Sequence, residues 1–239
     1  MDSLYIVIPA YNEADNIEKL IDDWYPIVEQ YNGNGQSRLV IINDGSKDNT
    51  YDLLLRCSQG RPLLNPITKP NGGHGSAVLY GYRYAIDHKA DYIFQTDSDR
   101  QTIPEEFHEF WSLRNSYEAI LGKRPERQDG ASRKFVENTL RLILWIMFGV
   151  RIPDANAPFR LMKTELVNRY IQKMPEHFNL PNVMFTTYFA YFQHNVAFKK
   201  ITFRPRQGGV NSINVKKIVK IGWNAVGDFF YLKKHINDM

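Results

Sequence analysis

The feature that most constrains this chain is a beat struck three times in its first hundred positions: a short apolar run that stops abruptly at a polar loop. Leu4-Tyr5-Ile6-Val7-Ile8 stops at Pro9-Ala10-Tyr11-Asn12-Glu13, Leu39–Ile42 runs into Asn43-Asp44-Gly45-Ser46, and Asp91-Tyr92-Ile93-Phe94-Gln95 ends in Thr96-Asp97-Ser98-Asp99-Arg100-Gln101. Continuous apolar runs are what parallel strands covered on both faces require. Between them, Ile17, Leu20, Ile21, Trp24 and Val28, then Leu53, Leu54 and Cys57, then Leu79, Tyr82 and Ile86, recur at helical spacing. Strand, loop and helix in repetition predict an α/β fold, a mostly parallel sheet flanked by helices with its polar signals on one edge. Asn12 is expected to cap the first helix, Pro26 to kink or end it, and Asp48-Asn49-Thr50 to open the second.

The polar ends carry chemistry. Asp97 and Asp99, at i and i+2 on a strand end, can both turn toward one hard cation whose other oxygen ligands a nucleotide diphosphate supplies. The same stretch also reads as a turn before the helix opened by Pro104-Glu105-Glu106. Asp44 can accept hydrogen bonds from ribose hydroxyls or a base edge, or be no more than an Asp-Gly turn. Asn71-Gly72-Gly73-His74-Gly75-Ser76-Ala77 places three glycines before a helix, where backbone N–H groups can approach phosphates. It lacks the Gly-Lys-Ser/Thr ending of a P-loop. Together these segments predict a mononucleotide site.

Composition narrows the classes. With 239 residues, 43% hydrophobic and 13% aromatic, the chain can bury a full core and is not disordered. A net charge of +4 carried with 26 acidic residues does not indicate a nucleic-acid binder. The lone cysteine, Cys57, forms no intramolecular disulfide and points to a reducing compartment. Met1-Asp2-Ser3 leads straight into a strand, without the look of a signal peptide, and the strongest apolar run, Leu142 to Val150, is about half of a spanning helix. A soluble or peripheral protein is expected. Residues 135–150, flanked by Arg133, Lys134, Arg141 and Arg151, and residues 215–236, rich in lysine and aromatics, suit helices lying on an anionic membrane surface. Helices packed on the domain or at a homo-oligomer contact suit them equally.

The segments Val7–Glu13, Ile42–Thr50, Asn71–Ala77 and Asp97-Ser98-Asp99 occur in the order and spacing of the family 2 glycosyltransferases of GT-A fold, which the chain resembles. Its Asp-x-Asp-x-Gln is similar to that of the dolichol-phosphate mannose synthase branch. The resemblance implies a GT-A domain over 1–212, with a nucleotide-sugar half to 101, an acceptor half after it, and a basic amphipathic helix at 213–239. It implies a nucleotide-sugar site of Pro9, Ala10, Tyr11, Glu13, Asp44, Gly72, Gly75, Asp97 and Arg206. Asp97, Asp99 and Gln101 would hold Mg2+ or Mn2+, and Asp99, Arg124, Arg133 and Asp154 would form the catalytic group. In that branch, Arg124 and Arg133 would grip the anionic acceptor or the diphosphate, and Asp154 would orient the acceptor or the sugar. The family more often has Lys where this chain has His74, and the expected Lys is absent at 213.

Many members that glycosylate a hydroxyl carry a Glu-Asp pair as base, and none occurs between Pro175 and Tyr191. A phosphate monoester is already ionised at neutral pH and needs positioning more than a base. The resemblance therefore favours inverting, metal-dependent transfer from a GDP- or UDP-sugar to a polyprenyl phosphate at the cytoplasmic membrane face. Asp154, Glu176 or His177 remains open as an unconventional base toward a hydroxyl of a surface glycan. A nucleotidyltransferase would show a glycine-rich signature after the first strand, which Pro9–Glu13 lacks. A non-catalytic nucleotide-sugar-binding protein is the remaining alternative.

Overall fold

A computed structural model describes residues 2–125, 131–176, 178–205, 227–234 and 236, those at 131–136 by their backbone alone. The strands are β1 (Leu4–Ala10), β2 (Arg38–Asn43), β3 (Leu64–Thr68), β4 (Tyr92–Thr96), β5 (Ala119–Lys123), β6 (Phe159–Lys163) and β7 (Val196–Lys200). They form one sheet in the order β3-β2-β1-β4-β6-β5-β7. Every pairing is parallel except those of β6, which runs antiparallel to β4 and β5. The chain steps outward from β1 to β2 and β3, then returns to lay β4 on the other side of β1. That reversal opens a crevice at the carboxyl ends of β1 and β4, where ligands of open α/β sheets bind.

The helices are α1 (Ile17–Gln30), α2 (Thr50–Ser58), α3 (His74–Asp87), α4 (Phe107–Ser112), α5 (Ala131–Phe148), α6 (Thr164–Ile171) and α7 (Pro181–Tyr191). Alternate strand residues face opposite layers, as the pleat demands. Leu4, Ile6, Ile8, Leu39, Ile41 and Phe94 pack with α1, α2 and α4. Tyr5, Val7, Val40, Ile42 and Ile93 pack with α3, α5, α6 and α7. On α3, a Cβ at Gly81 would lie 2.3 Å from Val7 Cγ1, so this glycine lets the helix that carries the glycine-rich loop lie directly on the central strand.

Several local expectations are overturned. Pro26 neither ends α1 nor shortens it. Buried Trp24, Tyr25, Ile27 and Val28 on both sides of it supply packing that outweighs a lost backbone hydrogen bond. Asn12 is not a helix cap: α1 begins at Ile17, while Asn12 sits at φ 53° with its side-chain oxygen accepting the Lys47 N–H at 2.8 Å. Pro9 does not break β1 but lies within it, where pairing to β4 has already stopped at Val7.

Residues 227–234 are helical, with Phe229 and Leu232 buried and Phe230 and Tyr231 exposed. The rest of the expected 215–236 helix, apart from residue 236, lies outside the described residues. No described helix is long and apolar enough to cross a membrane.

Candidate active site

The three polar strand ends meet in the crevice. At the end of β1, Tyr11 is 37% exposed at the rim, the right place for an aromatic ring to stack on a base. Glu13 is buried: its N–H donates to Thr50 Oγ1 at 2.9 Å and its Oε2 accepts from Asn16 Nδ2 at 2.7 Å, which ties the loop after β1 to the start of α2. Ala10 closes the strand end, its carbonyl accepting the Asp44 N–H at 2.9 Å.

Asp44, at the end of β2, is almost wholly buried and organises the glycine-rich loop. Its Oδ1 accepts from Lys69 Nζ at 2.6 Å and the Gly72 N–H at 3.0 Å, and its Oδ2 from the Gly73 N–H at 2.8 Å. The N–H groups of Gly72 and Gly73 thus turn onto a carboxylate of the protein itself. Gly73 takes φ 87°, the left-handed geometry that favours glycine. Gly75 has a packing reason: a Cβ there would lie 2.1 Å from the Phe178 carbonyl oxygen, so the segment leading into α7 seats directly on the loop. Lys69 went unnoticed in the sequence, a single cation before Pro70, yet it is the ion-pair partner of Asp44.

His74 opens α3 and places Nε2 3.8 Å from Asp97 Oδ1, which brings the glycine-rich loop against the end of β4. Asp97 and Asp99 are both half-buried at that end. Asp99 Oδ1 accepts the Gln101 N–H at 3.2 Å, and Asp97 Oδ1 accepts from Gln95 Nε2 at 3.1 Å. Two hard carboxylates at i and i+2 fit Mg2+ or Mn2+. Among the described residues no group of three or more His, Cys, Asp or Glu could hold a metal ion, so a cation here would take its remaining ligands from donor phosphate oxygens. Gln101, expected as a third metal ligand, is bonded to Arg204. Its Nε2 donates to the Arg204 carbonyl and its own carbonyl accepts the Arg204 N–H, each at 2.7 Å.

Arg124 and Asp154, both assigned to substrate by sequence, are joined to each other. Arg124 Nε donates to Asp154 Oδ2 at 2.8 Å and Nη2 to Oδ1 at 2.9 Å, a two-pronged pair closed by the Arg124 N–H to Oδ2 at 3.2 Å. Burial by itself would push the Asp154 carboxyl up. The hydrogen bonds and charge of Arg124, with N–H groups of Arg124 and Asn156, outweigh that and hold it below the usual carboxylate range. Burial likewise opposes the guanidinium, but Asp154, with smaller help from Glu137 and Asp97, holds its pKa above the ordinary value. Asp97 acting on Arg124 puts the Arg124–Asp154 pair within electrostatic reach of the carboxylates that follow β4. Asp154 is no helix cap, since no helix begins there. Arg133 lies in α5 with its side chain outside the description, and Arg206 and His177 lie outside the described residues.

Residues 5–173 match the family model described as Glycosyl transferase family 2. A curated relative, an uncharacterised glycosyltransferase of Synechocystis, is 29% identical over 96% of this chain and 70% of its own length. An undecaprenyl-phosphate 4-deoxy-4-formamido-L-arabinose transferase of Pseudomonas syringae is 27% identical over 68% of this chain. The match spans 48% of that transferase, about half its length. Among solved structures, glucosyl-3-phosphoglycerate synthase of Mycobacterium tuberculosis, crystallised with Mn2+, UDP-glucose and phosphoglyceric acid, shares the fold. Its TM-score is 0.69 at 15% identity, covering 97% of this chain and 79% of that one.

Proposed function

We propose that this chain, which belongs to glycosyl transferase family 2 and is a glycosyltransferase, moves a sugar from a nucleoside diphosphate to a polyprenyl phosphate with inversion. The observation that carries this reading is the meeting of the Asp44-bound glycine loop, through His74, with the Asp97 and Asp99 pair at the strand-order reversal. Asp97 and Asp99 would hold a divalent metal, which when bound stabilises charge developing on the departing diphosphate. Tyr11 lies at the rim where the base would stack, and buried Glu13 fixes the loop behind it. Arg124, fixed by Asp154, is preorganised on the acceptor side, where its guanidinium would donate hydrogen bonds to an already ionised phosphate. Proton removal then needs no dedicated base. The name of the Pseudomonas relative supports this acceptor class.

The reading is tested by thermal shift and turnover with UDP- and GDP-sugars, Mn2+ or Mg2+, and undecaprenyl phosphate present or absent. A metal-dependent shift with one nucleotide and turnover that requires the lipid phosphate are expected. Turnover with a glycan hydroxyl and not the lipid phosphate would transfer the acceptor to the other class.

Such an acceptor must be met at a membrane, and α5 offers the surface. Leu144, Met147 and Phe148 are buried beneath it, while Leu142, Trp145 and Ile146 stand exposed, Ile146 by 66%. A shallow cavity of about 330 Å3 lies there among Arg141, Leu142, Trp145, Val150, Arg151 and Ile152. Apolar side chains beside two guanidiniums, that of Arg141 paired with Glu137 at 2.7 Å, suit an anionic lipid surface. Arg141 donates to the Pro153 carbonyl, so this surface adjoins Asp154. The chain should float with anionic vesicles, and Trp145→Glu with Ile146→Glu should leave most of it unbound without loss of fold. Unchanged flotation of that variant would remove α5 from the interface.

A further inference from the structure

Beneath the carboxylate pair lies a run of buried polar side chains that the transfer chemistry above does not use. Gln95 on β4 and Arg160 on β6 are partners in the antiparallel register, both almost wholly buried. Arg160 donates through Nη1 to the Asn182 carbonyl at 2.7 Å and through Nη2 to Thr186 Oγ1 at 2.6 Å. Asn182, on the first turn of α7, donates through Nδ2 to Gln95 Oε1 at 3.0 Å. Gln95 in turn donates through Nε2 to Asp97 Oδ1 at 3.1 Å. The two side-chain amides give their hydrogens in one direction, toward the carboxylate, while Arg160 holds the backbone of Asn182.

The direction matters because an amide can present either end. Gln95 with its oxygen toward Asp97 would repel the carboxylate. That arrangement is blocked by the Asn182 amine, which requires Gln95 Oε1 as its acceptor. Asn182 is itself oriented by the Tyr82 hydroxyl, which donates to its Oδ1 at 3.4 Å. Arg160 is a costly group to keep in such a place. Burial holds its pKa below the ordinary value, and its Nε has no hydrogen-bond partner among the described residues. A sheet that needed only packing at this position would be better served by an apolar side chain.

We propose that Gln95 is a positioning residue for Asp97, held in one amide orientation by the side chain of Asn182, whose backbone Arg160 anchors, and that it sets the aim of that carboxylate toward the divalent metal. The proposal rests on the metal-and-diphosphate reading of the site. Both polar contacts described for Asp97, from Gln95 and from His74, fall on Oδ1, so Oδ2 is the oxygen that would ligate a cation. Partners that orient a ligating carboxylate typically change metal affinity by about 10- to 100-fold when removed.

The test is Mn2+ binding followed by electron paramagnetic resonance, with UDP and GDP as the nucleoside diphosphates, on the wild type, Gln95→Met and Asn182→Asp. Gln95→Met is close in size and deletes the donor to Asp97. Asn182→Asp does not touch Asp97 at all. An aspartate there has no N–H for Gln95 Oε1, so the Gln95 amide turns over and presents oxygen to Asp97. Both variants are expected to weaken Mn2+ binding by about 10-fold or more, with acceptor KM unchanged. Mn2+ affinity within twofold of wild type in either folded variant overturns the proposal, as does a lowered Tm with affinity intact, the signature of a merely structural role. If Gln95→Met fails to fold, Asn182→Asp decides alone. Failure of the wild type to bind Mn2+ with any nucleotide would remove the metal reading itself, and this proposal with it.

Discussion

Asp99→Asn is expected to lower turnover by roughly 10²- to 10³-fold while leaving the thermal midpoint unchanged. The substitution is chosen because asparagine keeps the size of the side chain and an Oδ1 to accept the Gln101 N–H, now at 3.2 Å. That hydrogen bond of the turn after β4 is kept while the charge disappears. Asp99 is half-buried at the crevice rather than in either core, so no packing is lost. What goes is half of the anionic pair that would hold a divalent cation against the leaving diphosphate. That cation supplies several kcal/mol of charge stabilisation in such reactions, and a thousandfold loss is about 4 kcal/mol. Steady-state kinetics across Mn2+ concentrations make the check. Partial recovery at high Mn2+ is the expected companion result, and full activity at low Mn2+ would remove Asp99 from the metal site.

The first hundred residues disclosed their architecture because parallel strands covered on both faces have no choice but to be apolar throughout. β1, β2 and β4 are such strands, and the polar loops that end them could only lie on one edge. β3 was hidden because Leu64-Asn65-Pro66-Ile67-Thr68 is a half-buried edge strand. A proline is tolerated there, since one side of the strand has no partner. β6 was hidden by Arg160, a charge that interrupts an apolar run and is satisfied by α7 rather than by water. α7 itself carries no stripe to read, for its residues from Pro181 to Phe189 are all buried.

Within the site, residue types were legible and pairings were not. Asp97 and Asp99 could be picked out because two carboxylates ending an apolar strand stand in order with two other polar strand ends and a glycine-rich turn, although alone they read equally as a turn. That Asp44 would spend its carboxylate on Lys69, Gly72 and Gly73 could not be seen, because spacing along a chain does not say which strand ends touch. Arg160 carries a signal of its own: a guanidinium inside a strand is either exposed or held by a built network. Gln95 and Asn182 had none, since a lone amide in an apolar run is as common in a turn as in a relay.

Arg124→Met is expected to destabilise the fold by about 3–5 kcal/mol, because it strands a buried carboxylate. Asp154 is 5% exposed and receives two of its hydrogen bonds from the Arg124 guanidinium. The paired mutation Arg124→Met with Asp154→Leu should recover most of that loss, since no uncompensated charge remains. It should not recover all of it, because the N–H groups of Arg124 and Asn156 also donate to Asp154 and would lose their acceptor, at about 1 kcal/mol each. The pH dependence separates charge from packing. In the wild type the folded Asp154 pKa is depressed, so its contribution is fully present above the unfolded value near 4 and is lost as pH falls through the lower folded value. In Arg124→Met the lone buried carboxyl has its pKa raised instead, and protonation relieves the penalty as pH falls. The stability gap between the two proteins should therefore narrow from neutral pH toward pH 4, measured by denaturant unfolding at each pH. A gap that stays constant would mean that Arg124 contributes through packing on Phe203, whose ring lies 5.5 Å from the guanidinium, rather than through its charge.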